Sequence, residues 1–306
     1  MATFDVVLHA NGGIFRENAQ QLSAAFPPVK ERVDLGFGCW VGRLDGDLAN
    51  VLMDTCDPTF LGVMKPVRQF AQLYTYVREL DDNEELYRWD RDLRLQRCIG
   101  MSRLIHRTTV GFRYAARVRQ GSSSDPLKIV PAGIHGLSLD VFLSPNHERD
   151  WLTASEAQQL ANLLAVSETL QQPAFPPRVS RALWYFDYAQ RTYYADLRWT
   201  LIATALEALV HTGKTGSTKH FKYRVPALAQ SVGGSPLTTD EANLAWDFRS
   251  RLSHGDGFLF SMPNADIALY DKLENTLRLA ILKAFLDPTF ANIFADDKEI
   301  AKHWPV

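Results

Sequence analysis

The sequence predicts a mainly α protein, with a C-terminal antiparallel four-helix bundle preceded by a mixed, largely helical N-terminal domain with a few strands. Three observations predict it. Apolar residues recur at helical spacing through most of the chain after residue 177, and short β-rich pieces interrupt the helical patterns before it. The length, 306 residues, is more than one compact core usually needs. The Pro-rich segment Pro173–Pro177 (PAFPP) is the clearest break, so the domains are expected at 1–172 and 178–306.

In the first part, Glu17–Ala25 and Lys65–Cys98 read as helix, the second because Val67, Phe70, Leu73, Tyr74 and Val77 follow helical spacing. Gly38–Val41 and Thr108–Val118 read as strands. Leu152–Val166 returns to helix, with Thr153 at the N-cap and Glu156 three residues later, the signature of a capping box.

In the second part, Arg178–His211 lacks Gly and Pro and reads as one long helix ended by Gly213. Thr218–Gln230 is a second helix, kinked or divided at Pro226. The third, Thr238–Ser253, is capped by Thr238 or Thr239, carries Leu244, Phe248 and Leu252 as its apolar stripe, and stops at Gly255. Asp266–Leu286 is the fourth, with Leu269, Leu273, Leu277, Ile281 and Phe285 on one face and Pro288 as its stop. Short turns between such helices favour an antiparallel bundle.

Composition limits the function classes. Hydrophobic residues make up 46% of the chain and charged residues 22%, with a net charge of −2, the profile of a globular protein without a whole-molecule attraction to nucleic acid or anionic lipid. Any nucleic-acid surface must be local. The three cysteines, Cys39, Cys56 and Cys98, are widely spaced and include no Cys-x-x-Cys pair, which argues against a disulfide framework or a zinc knuckle and fits a reducing cytoplasm. The N-terminus lacks a basic and then apolar leader, and no apolar run reaches the ~18 residues of a membrane span, so no export signal or membrane segment is expected.

Chemical motifs are sparse. The eight histidines form no i, i+4 pair and no His-Glu-x-x-His, so no metal or other cofactor is expected. GKTGS (Gly213–Ser217) lacks the leading glycine of a phosphate-binding loop and follows a helix rather than a strand, so it reads as a helix-terminating turn.

The informative segment is DFRSRLSHGDG (Asp247–Gly257), where Arg249 and His254 stand five apart at a helix end. Five residues of ideal helix rotate by about 140°, but Gly255 lets the chain turn there and bring the two side chains together. Histidine exchanges protons near neutral pH. The plainer reading of the pair is a C-capping histidine and a surface arginine. Two other features favour chemistry. Between Arg178 and Arg224 eight Lys and Arg face three acids, a local phosphate-backbone footprint that includes Lys214, Lys219, Lys222 and Arg224. Upstream, Asp196, Thr200, Ala203, Glu207 and His211 share a helix face away from the stripe of Ile202, Leu206 and Leu209; simple solvent exposure is the alternative for this face.

The succession LRWTLIATALEALVHTG (Leu197–Gly213), KHFKYRVPALAQ (Lys219–Gln230) and FRSRLSHGDG (Phe248–Gly257) resembles the HEPN superfamily, in particular its Apea-like branch. The likeness spans about residues 178–287, and SRLIHRTTVGFRYAARV (Ser102–Val118) is similar to the N-terminal part of proteins carrying that domain. Arg249 and His254 match the family's Arg, four to six residues, His hallmark, and Glu207 matches its acidic residue. Ser250 departs from the Asn, Asp or His that follows the arginine in many active members.

The resemblance implies a bundle that homodimerises around a shared cleft and acts as a metal-independent endoribonuclease, of the kind used as a toxin or antiviral defence effector held by a regulatory protein or antitoxin. His254 would be the acid or base, Arg249 the phosphate clamp, and Glu207 would orient and charge-balance Arg249 or His254, with Lys219, Lys222, Arg224 and Arg251 along the RNA. The alternative is a catalytically silent module that binds RNA or nucleotides or scaffolds a partner.

Overall fold

The computed structural model describes residues 3–7, 24–44, 74–80, 92–107, 114–119, 128–131, 149, 151–169, 175–192, 194–255 and 264–306. The chain divides into two compact units, Met1–Ala165 and Val166–Val306. That division lies a few residues before the Pro-rich segment. The protein is mainly helical, and among the described residues no helix is long and apolar enough to cross a membrane.

The first unit is built on a sheet. Strands β1 (Thr3–Val7), β2 (Val33–Gly36), β3 (Cys39–Arg43), β4 (Tyr74–Leu80), β5 (Tyr114–Arg119) and β6 (Lys128–Pro131) lie in the order β2-β3-β4-β1-β5-β6, every neighbour antiparallel. This exceeds the few strands expected and corrects the helix placed over Lys65–Cys98. Within that span Tyr74–Leu80 is strand and only Asp92 onward is helix, α1 (Asp92–Ile105). Residues 65–73 and 81–91 lie outside the described residues, as do 17–23 and 108–113 of the other expected elements.

The physical reason is burial on both faces. Thr75, Tyr76, Val77 and Arg78 are all within 2% of complete burial, so the strand lacks the apolar–polar alternation that marks a half-exposed one. Helix α2 (Ala154–Thr169) starts with the expected box: the Glu156 N–H donates to Thr153 Oγ1 at 3.4 Å and the Thr153 N–H to Glu156 Oε2 at 2.8 Å. Glu156 also takes two bonds from the buried Arg149, at 2.8 and 2.5 Å, and Arg149 lies 5.0 Å over the Phe26 ring. Burial pushes the Glu156 carboxyl upward, but the bonds from Arg149 and Thr153 outweigh it and bring it down to about 2.

The second unit is helical: α3 (Pro177–Arg191), α4 (Ala195–Val210), α5 (Ser217–Ser231), α6 (Thr239–Ser253), α7 (Asn264–Leu286) and the short α8 (Pro288–Asn292) and α9 (Asp297–His303). Helices α4 and α7 each pack against α3, α5 and α6 as well as each other. The single helix expected over Arg178–His211 is two. The Thr192 hydroxyl donates to Tyr188 O at 2.7 Å and competes with the backbone ladder, while Thr192 and Tyr194 turn extended. Pro226 does not divide α5, because the buried Phe221 and Val225 before it and Leu228 and Ala229 after it hold both halves in place. The α7 stripe is buried as expected, from Leu269 at 6% exposure to Leu277 and Ile281 at 0%. The C-terminal tail is also packed, with Phe290, Phe294, Ile300 and Trp304 buried and the Phe294 and Trp304 rings 5.8 Å apart.

Candidate functional site

The site rests on the seam between α4 and α6. The α6 stripe expected at Leu244, Phe248 and Leu252 is corrected: Leu244 is 50% exposed, and the residues turned inward are Ala242, Ala245 and Trp246. Two alanines let the helices approach closely, and Trp246 fills the remaining space against Phe221 of α5, ring to ring at 5.2 Å. The Trp199 indole of α4 donates to Ala245 O at 3.2 Å and ties the two helices at their contact.

This shift of the seam changes the position of Arg249. It stands three residues after Trp246 and seven after Ala242, so it flanks the buried face rather than lying opposite it. On α4, Glu207 follows buried Ala203 by one turn. The two side chains meet: Arg249 Nη2 donates to Glu207 Oε2 at 3.1 Å, with 27% and 21% of their side chains exposed. The Arg249 guanidinium also lies 4.8 Å from the Trp246 ring centroid, a cation–π contact. Trp246 was missed in the sequence, although its i, i+3 spacing from Arg249 is the signal that reveals it.

His254 is the C-cap of α6, its backbone N–H donating to Arg251 O at 3.0 Å. Gly255 then takes φ +88°, which glycine adopts without strain. The turn leaves the His254 side chain exposed, and among the described residues it makes no hydrogen bond or ion pair. The structure therefore joins Glu207 to Arg249 and places His254, exposed, at the C-terminal end of the same helix.

The four residues expected along RNA divide. Lys219 and Arg251 are exposed, Arg251 lying 5.2 Å over the Phe248 ring, and Lys222 is half-buried beside Tyr223. Arg224 is a correction. It is 3% exposed and donates from Nε to Trp304 O at 2.8 Å, and from Nη1 to Val210 O at 2.7 Å and Thr212 Oγ1 at 3.0 Å, so it docks the C-terminal tail instead of facing solvent. Arg178 does related work: its Nη1 donates to Ala208 O and His211 O, and Nη2 pairs with Asp297, whose other oxygen accepts the Gly213 N–H at 2.7 Å. His211, expected on an open face, lies with Nδ1 3.2 Å from Nδ1 of His220. Burial, then Arg224, His211 and Lys219, lowers the His220 pKa below its ordinary value.

A guanidinium held by a carboxylate and an aromatic face is a planar fork kept in one orientation, a geometry that can pair with two oxygens of a tetrahedral phosphate. Comparison with family models, curated proteins and solved structures finds no match for this chain.

Proposed function

We propose that the second unit contains a HEPN-like antiparallel four-helix bundle that cleaves RNA without a metal ion. The Glu207–Arg249 pair carries the reading. Partly exposed ion pairs add little to stability, typically under ~1 kcal/mol, so its main effect is to aim the guanidinium. In the proposed reaction a base removes the proton of an RNA 2′-hydroxyl, the oxygen attacks the adjacent phosphorus, and the bond to the 5′-oxygen breaks as that oxygen is protonated. Arg249 stabilises the negative phosphorane, His254 carries a proton, and Glu207 positions Arg249 without touching substrate. The products are a 2′,3′-cyclic phosphate and a 5′-hydroxyl, and DNA resists for want of the nucleophile. Lys219, Lys222 and Arg251 are the proposed backbone contacts.

The exposed position of His254 at the end of α6 leaves it accessible to a second copy, which supports a shared site. Incubating mixed RNA in EDTA with wild type and His254→Ala tests the proposal: cleavage that survives EDTA and disappears in the variant supports it, and the absence of cleavage by wild type refutes it. A chain that light scattering finds strictly monomeric at micromolar concentration refutes the shared site. The same exposure of His254 also fits the second reading, a silent RNA-binding module, which predicts salt-sensitive RNA binding unchanged by His254→Ala.

A further inference from the structure

The first unit holds a nucleophilic pair that the proposed RNA chemistry does not use. Cys39 lies on β3 and Cys98 on α1, at 1% and 4% exposure, and both are free thiols. They are 59 positions apart in sequence, but the fold places them side by side. Arg94 and Cys98 are four apart on α1 and so share one helix face. The Arg94 guanidinium lies 5.0 Å over the ring of Phe37 in the turn between β2 and β3, and one helical turn later the Cys98 thiol is hydrogen-bonded to that of Cys39, two residues beyond Phe37. Arg78, the cross-strand partner of Cys39 on β4, is buried against the same position.

We propose that Cys39 and Cys98 form a reversible disulfide that staples β3 to α1 when a peroxide reaches the first unit. The two thiols differ in the way the chemistry requires. The hydrogen bond from Cys98, helped by Arg78 and Arg94, outweighs the opposing effect of burial and favours the Cys39 thiolate, whereas the same bond and burial keep Cys98 protonated. Cys39 is the attacker: its sulfur takes one peroxide oxygen as the O–O bond breaks, giving a sulfenic acid and hydroxide, which takes up a proton to form water. Cys98 then attacks the Cys39 sulfur, the S–O bond breaks, and its proton leaves with that oxygen as a second water. Two thiols are oxidised by two electrons and one peroxide is reduced to two waters.

Hydrogen peroxide applied to the reduced full-length chain tests this. Intact mass should fall by two hydrogens, peptide mapping should find Cys39 joined to Cys98, and dithiothreitol should restore both thiols. The oxidised first unit should melt higher by several degrees, since the cross-link closes a loop of about 60 residues in the unfolded chain. In Cys98→Ala, Cys39 should stop as a sulfenic acid that a dione probe captures, which separates attacker from resolving thiol without relying on the stability of a double variant. Cross-linking through Cys56, over-oxidation of Cys39 with Cys98 still free, or two unmodified thiols under conditions that oxidise Cys56 would each overturn the proposal.

Discussion

Acid should loosen the first unit through one carboxylate. Glu156 is held from an ordinary 4.5 to about 2 by Arg149 and Thr153, with 18% of its side chain exposed. A carboxyl whose folded pKa is depressed contributes stability that is complete above its unfolded pKa and vanishes as pH falls through the folded one. The shift corresponds to about 3 kcal/mol at neutral pH, of which roughly 2 kcal/mol should disappear between pH 5 and pH 3. Hydrogen exchange of peptides covering 151–165 across a denaturant series reads this unit without assuming that both units unfold together. Glu156→Gln should open more easily than wild type by about 3 kcal/mol at pH 7, because it leaves Arg149 buried without its counter-charge, and the gap should narrow to ~1–2 kcal/mol at pH 3. A gap that stays constant from pH 5 to pH 3 would refute the role given to the carboxylate, whatever its size.

Arg224→Ala should destabilise the second unit by roughly 2–4 kcal/mol, seen in thermal melts and in faster exchange of the C-terminal tail, because it orphans carbonyls of Val210 and Trp304. Lys219→Ala should leave the melt within ~0.5 kcal/mol of wild type and weaken binding of single-stranded RNA, with a flatter salt dependence by about 0.7 per lost phosphate contact. Arg249→Ala should lower cleavage by roughly 10²–10³-fold while costing about 1 kcal/mol of stability, so a folded variant that cleaves at full rate removes the phosphate clamp. Thr238→Ala should cost ~1 kcal/mol in denaturant melts, since the Glu241 N–H loses its 3.1 Å acceptor at the start of α6.

Local, directional signals were legible in the sequence. Thr153 with Glu156 and Thr238 with Glu241 both form capping boxes, because a short side chain, a three-residue spacing and an acid suffice to satisfy the first orphan donors of a helix. The α7 stripe was legible because five large apolar residues repeat at helical spacing. What failed depended on partners far away in sequence. Strand β4 is covered on both faces, so Tyr74 and Val77 imitate helical spacing in a segment that pairs with β1 and β3. The break between α3 and α4 is a local exception: it contains no Gly or Pro, and the Thr192 hydroxyl bonded to Tyr188 O marks the end of α3. On α6, the large Leu244 attracted the stripe, whereas two alanines and a tryptophan make the contact; small residues carry little weight in a hydrophobicity pattern even when they set how closely helices approach.

The same dependence on tertiary context governs the charge. Eight basic residues between Arg178 and Arg224 looked like a phosphate footprint because charge is counted along the chain, whereas a field is felt at the surface. Arg178 and Arg224 turn inward to carbonyls at the end of α4, Arg198 is buried over the Tyr270 ring, and Arg191 pairs with Asp187 at 2.6 Å. Arg181, Lys214 and Lys219 remain exposed and Lys222 half-exposed. Half of the basic residues thus turn to partners within the helical unit, and half stay at the surface, where the proposed RNA backbone would meet them. Bulk attraction of that size cannot select a substrate, so specificity in the proposed reaction has to come from the aimed guanidinium of Arg249 and from whatever completes the site around His254.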